Sequence, residues 1–294
     1  MHIPFWAIFG IFSATLSTGV FLTQERMRLN GFVLAFWNKA CCALFAFPLM
    51  LYFGAPESAL FYIILTAQAC LWVVSDVIFF NTINKTGAGV VSRLLPLAVI
   101  VTFVLWFFID PSTLDKYMQT PLRSLGVVLA LCASVYFVMR LRKCPLSWAA
   151  FRMVWFVIFS AVIGPLLGKL VMGEATFAQG PFAYVFFQAL VMVLMWLVYY
   201  AIKRPIPAQE LFNRRALKGG LIVSVFSFFM IASSAAGLKL VDNPGLMTAV
   251  GFSDTMLILL YYKLTKREDH SDWIAGLGVV FCAAIIIVLK SLGT

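Results

Sequence analysis

At 294 residues, 63% hydrophobic and 12% charged, with a mean hydropathy of +0.98, the chain is far from a soluble domain, where about a quarter of residues are charged and roughly half apolar. A spanning helix uses about 20 apolar residues, so this content describes a multispanning bundle with short connections and leaves no room for a separate soluble domain. The formal charge is +10, from 22 Lys and Arg against 12 Asp and Glu; in a multispanning chain such an excess collects in loops and sets orientation, so a nucleic-acid partner is not expected.

Apolar runs bounded by charges, Gly or Pro predict an all-α membrane protein with ten transmembrane helices. Five fall at 2–23, 31–53, 58–82, 88–109 and 121–139, in a first half spanning 1–143; five more fall at 147–172, 180–202, 216–239, 244–264 and 272–290, in a second half spanning 144–294. The first run has no basic start and passes into Gln24-Glu25-Arg26 without a small-residue cleavage pattern, so it reads as a retained helix rather than a signal peptide. Trp6, Trp148 and Trp273 stand at segment ends, where interfacial aromatic belts are expected.

Loop charge is lopsided. Connections after the odd-numbered segments hold fourteen basic residues, including Arg26, Arg28, Lys85, Lys203, Arg215, Lys218 and Lys266, whereas the opposite side holds only Lys116, Arg123 and Lys290. The positive-inside rule then places the odd loops in the cytoplasm and both termini outside. The cysteines, Cys41, Cys42, Cys70, Cys132, Cys144 and Cys282, lack metal-site spacing. All but Cys144 lie in apolar runs and read as small buried hydrophobes; no cofactor is expected.

An internal repeat emerges when the chain is shifted by 158 positions, which lays 79–89 on 237–247 and Gly87 on Gly245. In each copy a polar turn precedes a long apolar helix, a charged connection and a final Gly-containing helix (Leu125-Gly126-Val127, Leu277-Gly278-Val279). Five helices is an odd number, so the second copy enters the membrane inverted relative to the first, an architecture of transporters whose site lies between the halves near the midplane.

The five-plus-five plan, with Asn84-Lys85-Thr86-Gly87-Ala88-Gly89-Val90-Val91, Leu95-Pro96, Gly237-Leu238-Lys239 and Asn243-Pro244-Gly245-Leu246-Met247-Thr248 where a repeated signature belongs, resembles the EamA-like members of the drug/metabolite transporter superfamily. The resemblance implies a ten-helix fold in a bacterial inner membrane with cytoplasmic termini, opposite to the charge count. It also implies a proline in the helix after each turn, which is present as Pro96 and replaced by Asp254 in the second half.

Ionisable side chains at membrane depth cost several kcal/mol unless they pair or face water, and are functional candidates for that reason. Lys39, Asp76, Arg93, Arg152, Lys169 and Asp254 qualify. Lys39, Asp76 and Arg93 each lie eight or nine residues from a basic loop, roughly 12 Å inside one face, while Asp254 falls near the middle of the ninth segment. The candidate substrate-binding set is Lys39, Asn38, Trp72, Asp76, Arg93, Gln188, Ser234 and Asp254. Within it, Lys39 and Arg93 are cations for a carboxylate, Trp72 shares a helix face with Asp76 four residues on, and Asp76 and Asp254 are candidate proton carriers. Structural alternatives stand beside these: Lys39, Asp76 and Arg93 bridging one another, Trp72 packing in the core, Arg152 and Lys169 snorkelling from helix ends. Lys169 also follows Gly164-Pro165, which can kink a helix.

These features predict a secondary transporter of a small polar or amphipathic metabolite, an amino acid or related carboxylated compound moved outward. Its partners are that small-molecule substrate and the lipid bilayer, and the protein is expected as a monomer or homodimer. The alternatives are an exchanger of phosphorylated or nucleotide-linked metabolites, a channel or scaffold, and a membrane enzyme acting on a lipid-linked substrate. Against an enzyme, the two histidines, His2 and His270, sit at segment ends and no catalytic motif occurs.

Overall fold

Long apolar runs form helices in the computed structural model, which describes residues 3–88, 91, 97–140, 148–266 and 273–291. In chain order the helices are α1 (Phe5–Met27), α2 (Gly31–Phe53), α3 (Ala59–Thr86), α4 (Leu97–Ile109), α5 (Pro111–Gln119), α6 (Pro121–Arg140) and α7 (Trp148–Gly173). They continue with α8 (Gly180–Lys203), α9 (Ala208–Leu211), α10 (Arg214–Leu240), α11 (Pro244–Gly251), α12 (Ser253–Leu264) and α13 (Trp273–Ser291). No strand occurs among the described residues. Nine helical stretches among them are long and apolar enough to cross a bilayer, with α11 and α12 counted together. Large apolar side chains such as Leu44, Leu51, Phe108, Leu122 and Phe281 are exposed on their outer faces, an arrangement that suits lipid rather than water. The chain is a multi-pass, all-α membrane protein.

Local chemistry sets where the helices begin and end. Asn30, Asn213 and Asn243 each turn a side-chain oxygen onto a first-turn amide, accepting from Phe32 N, Ala216 N and Gly245 N at 2.9, 2.7 and 2.9 Å. Gly54 and Gly87 stop α2 and α3 at φ +86°, a backbone region that glycine enters without a Cβ penalty.

One element departs from the sequence reading. The connection at 110–120 contains α5, turned 105° from α4. Pro111 opens it, and Ser112, Thr113, Asp115, Lys116 and Gln119 make it too polar to prolong the α4 span. Trp6, expected in an interfacial belt, is instead 7% exposed within the core, in the apolar cluster that also holds Leu246, Met247 and Val250. Cys41, Cys42 and Cys282 are buried as expected, but Cys70 and Cys132 are exposed. Cys144 and the side chain of Trp148 lie outside the described residues.

The helices pack in a reciprocal pattern: α1 lies along α10 and α3 along α7, while α2 packs on α8, α6 on α13 and α4 on α11. Small residues permit the approach. A Cβ on Gly220 would stand 2.2 Å from Cβ of Trp37, and one on Gly245 would stand 2.7 Å from Cα of Phe103, so α10 meets α2, and α11 meets α4, at closest range. Two large apolar clusters result. One gathers Trp6, Phe61, Leu65, Phe103, Met172 and Leu246; the other gathers Phe21, Phe32, Phe80, Trp196, Leu211 and Tyr262, toward the end that carries Arg26 and Arg215. Between them runs a polar layer.

Candidate functional site

The polar layer surrounds a cavity of about 320 Å³. Helical spacing builds its walls. Gly10, Ser13, Ala14 and Ser17 present one small-residue face of α1, and Gln68, Trp72 and Asp76 form a stripe of α3 at intervals of four. Lys39 enters from α2, Tyr184 and Gln188 from α8, Ser234 from α10, and Asp254 from the first turn of α12. There the ninth predicted segment is broken at Phe252, and α12 directs its N-terminal dipole toward the carboxylate.

Two carboxylates occupy different surroundings. Asp76 faces Lys39, with Nζ to Oδ2 at 3.5 Å and side-chain exposures of 15% and 7%. In an interior that penalises each lone charge by several kcal/mol, a pair of this kind is tolerated through mutual compensation. Asp254 is held by hydroxyls instead: Ser17 Oγ donates to Oδ2 at 2.9 Å and Thr255 Oγ1 to Oδ1 at 3.3 Å. Thr18 Oγ1 lies 3.4 Å from the Asp254 carbonyl, fixing α1 against the start of α12. No described cation forms an ion pair with Asp254.

Neutral polar groups complete the layer. Gln68 Oε1 accepts from Tyr184 Oη at 2.8 Å and from Gln188 Nε2 at 3.3 Å, while Gln68 Nε2 donates to the Gly164 carbonyl at 2.6 Å. This joins α3, α7 and α8 one residue before Pro165, whose ring lies inside α7. The Trp72 indole rests on the same turn, where a Cβ on Gly164 would come within 2.4 Å of it.

Of the expected residues, Lys39, Trp72, Asp76, Gln188, Ser234 and Asp254 meet at this one cavity. Asn38 does not line it: its Oδ1 accepts from Cys42 Sγ at 3.6 Å, a turn further along α2. Arg93 and Pro96 lie outside the described residues, as does the side chain of Arg152. Lys169 is part of the structure near the other end of α7, its Nζ donating to the Lys239 carbonyl at 3.2 Å, away from the cavity.

No protein-family model and no curated protein matches the chain. Twenty-six solved chains are similar in structure. One, described only as the crystal structure of a protein, has a TM-score of 0.66 at 12% identity over 98% of this chain and 99% of its own. The likeness is one of fold, and it runs the length of both chains.

Gln68 and Tyr184 are two site residues that sequence reading missed. A usable signal existed, since Gln68–Trp72–Asp76 and Tyr184–Gln188 repeat a polar or aromatic group every four positions in otherwise apolar helices. Neutral side chains are cheap enough in helices to pass without notice; charges are not.

Proposed function

We propose that the protein is a secondary transporter that moves a small zwitterion, an amino acid or related carboxylated metabolite, outward by alternating access. The observation that carries this reading is the convergence of Lys39, Asp76 and Asp254 on one cavity between two apolar clusters. A substrate amine has Asp254, which pairs with no described cation, and a substrate carboxylate has Lys39. A volume of about 320 Å³ is at the small end of ligand pockets, which span about 300–1,000 Å³, and favours a small metabolite over a nucleotide-linked one. Trp72 supplies an apolar wall for its side chain.

The architecture proposed is two inverted five-helix repeats, residues 1–143 and 144–294, of the EamA-like drug/metabolite type. Reciprocal packing supports it: exchanging the first helix for the sixth, the second for the seventh and so on turns the α1–α10 contact into the α7–α3 contact and leaves α2–α8, α4–α11 and α6–α13 in place. In this scheme α4 is the described part of a tenth span. The basic loops are cytoplasmic, in a bacterial inner membrane, and Asp254 carries the coupling proton because it can exchange one without breaking any ion pair among the described residues.

Purified protein in liposomes tests the reading. Saturable counterflow of an amino acid, lost in Asp254→Asn and Lys39→Gln proteins that remain folded, is the expected result. No counterflow across amino acids and simple carboxylates, from folded protein, would overturn it.

A further inference from the structure

A second hollow, of about 590 Å³, lies between α1, α10 and α12 at the basic end of the bundle. Three cations edge it: Arg26 near the end of α1, and Arg215 and Lys218 in the first turns of α10. Arg215 uses Nη2 to donate to the Met27 carbonyl at 2.7 Å, a bond that occupies one of its five donors. Arg26 and Lys218 form no ion pair with any described carboxylate. The nearest acid in sequence, Glu25, is engaged elsewhere, its Oε2 accepting from Tyr262 Oη at 2.7 Å.

The walls change character along the helix axes. On α1 the lining runs from Arg26 through Leu22 to Gly19, seven residues and roughly 10 Å toward the membrane centre. On α10 it runs from Arg215 and Lys218 to Ile222 in the same direction, because α10 is antiparallel to α1. Tyr261 closes the side from α12. The hollow is thus cationic at headgroup depth and, past Thr23, mainly apolar at acyl depth. A free phosphate would use only the first part; a phospholipid would use both.

We propose that this groove binds the phosphate headgroup and upper acyl chain of an anionic phospholipid, with Arg26, Arg215 and Lys218 on the headgroup. Basic pockets between spanning helices at a cytoplasmic face hold anionic headgroups through this chemistry. The proposal goes beyond the transport reading and does not depend on it. The lipid bridges α1 and α12, the two helices joined by the Ser17–Asp254 bond two turns deeper.

Native mass spectrometry of the full chain in detergent, titrated with phosphatidylglycerol and with phosphatidylcholine of the same acyl chains, is the test. Phosphatidylglycerol should bind at least about tenfold more tightly, given roughly a fivefold gain for each of the well-placed Lys and Arg side chains before screening. That preference should vanish in R26Q/K218Q, survive in R26K/K218R, and survive in K85Q/K203Q, which removes the same charge from the same end. Equal binding of the two lipids, or a preference unchanged in R26Q/K218Q, overturns the proposal. So does equal loss in both charge-removed proteins, which marks a diffuse surface field, and so does displacement of the lipid by an equal concentration of inorganic phosphate, which marks a bare anion site.

Discussion

Ser17 Oγ donates to Asp254 Oδ2 at 2.9 Å across 237 positions of chain, tying the middle of α1 to the first turn of α12. This bond and the one from Thr255 are the described side-chain support of that carboxylate. Asp254→Asn keeps the shape and removes the charge that serves both the substrate amine and the coupling proton, so in liposomes it should abolish flux with or without an imposed pH gradient. Ser17→Ala removes one donor and should retain acceleration by the gradient while weakening substrate binding by about 1 kcal/mol, about fivefold. Initial-rate flux with and without the gradient measures both.

Lys39 and Asp76 should behave as a unit. Removing one partner strands the other as a buried charge, and such changes cost about 3–5 kcal/mol, whereas replacing both often costs little. Lys39→Met and Asp76→Leu alone should each lower the thermal midpoint in detergent sharply, and the double replacement should recover most of the loss without recovering transport. Additive destabilisation in the double protein would show that the two side chains do not compensate each other.

Gly164 tests the placement of Trp72. A methyl group there would meet the indole at 2.4 Å, so Gly164→Ala must move the ring or α7, at about 1–3 kcal/mol, the usual cost of overpacking. Gly173, on the same helix with nothing within 4 Å of its position, should accept alanine with a change under about 0.5 kcal/mol. Thermal midpoints and tryptophan fluorescence of the two variants make the comparison.

Asp110 governs the start of α5 in a pH-dependent way. Hydrogen bonds from Ser112 and Thr113, at 2.6 and 2.7 Å, hold its carboxyl below the ordinary carboxylate range. A depressed folded-state value contributes stability that is complete above the unfolded value of about 3.9 and is lost as pH falls through the folded one. Solvent screening at this partly exposed position keeps the contribution below about 1 kcal/mol. Proteolysis within 110–120 should therefore quicken below about pH 4, and Asp110→Asn should show the faster rate already at neutral pH.

The spans were readable because an apolar run of 20 residues has few other fates in a bilayer-sized bundle. The short α5 was not, since nine residues of mixed polarity carry no span signal and only the Asp110-Pro111 start marks them. Within the site, the cost of burying charge pointed to Lys39, Asp76 and Asp254, and the interval of four carried Trp72 along. Asn38 misled because adjacency in sequence is about 100° of rotation on a helix, enough to turn it away from the cavity. Gly87 and Gly245, which coincide when the sequence is shifted by 158 positions, serve different ends: the first ends a helix at φ +86°, the second makes room for the backbone at Phe103. Composition cannot separate those two uses of glycine.

In the proposed transport cycle the two apolar clusters flanking the polar layer act as a pair of seals in series. Water reaches the layer when either seal parts, and a continuous pore requires both to part together. Loosening one cluster, for example by truncating Trp196 or Phe61, should therefore bias the side on which the layer is wetted without making the membrane leak.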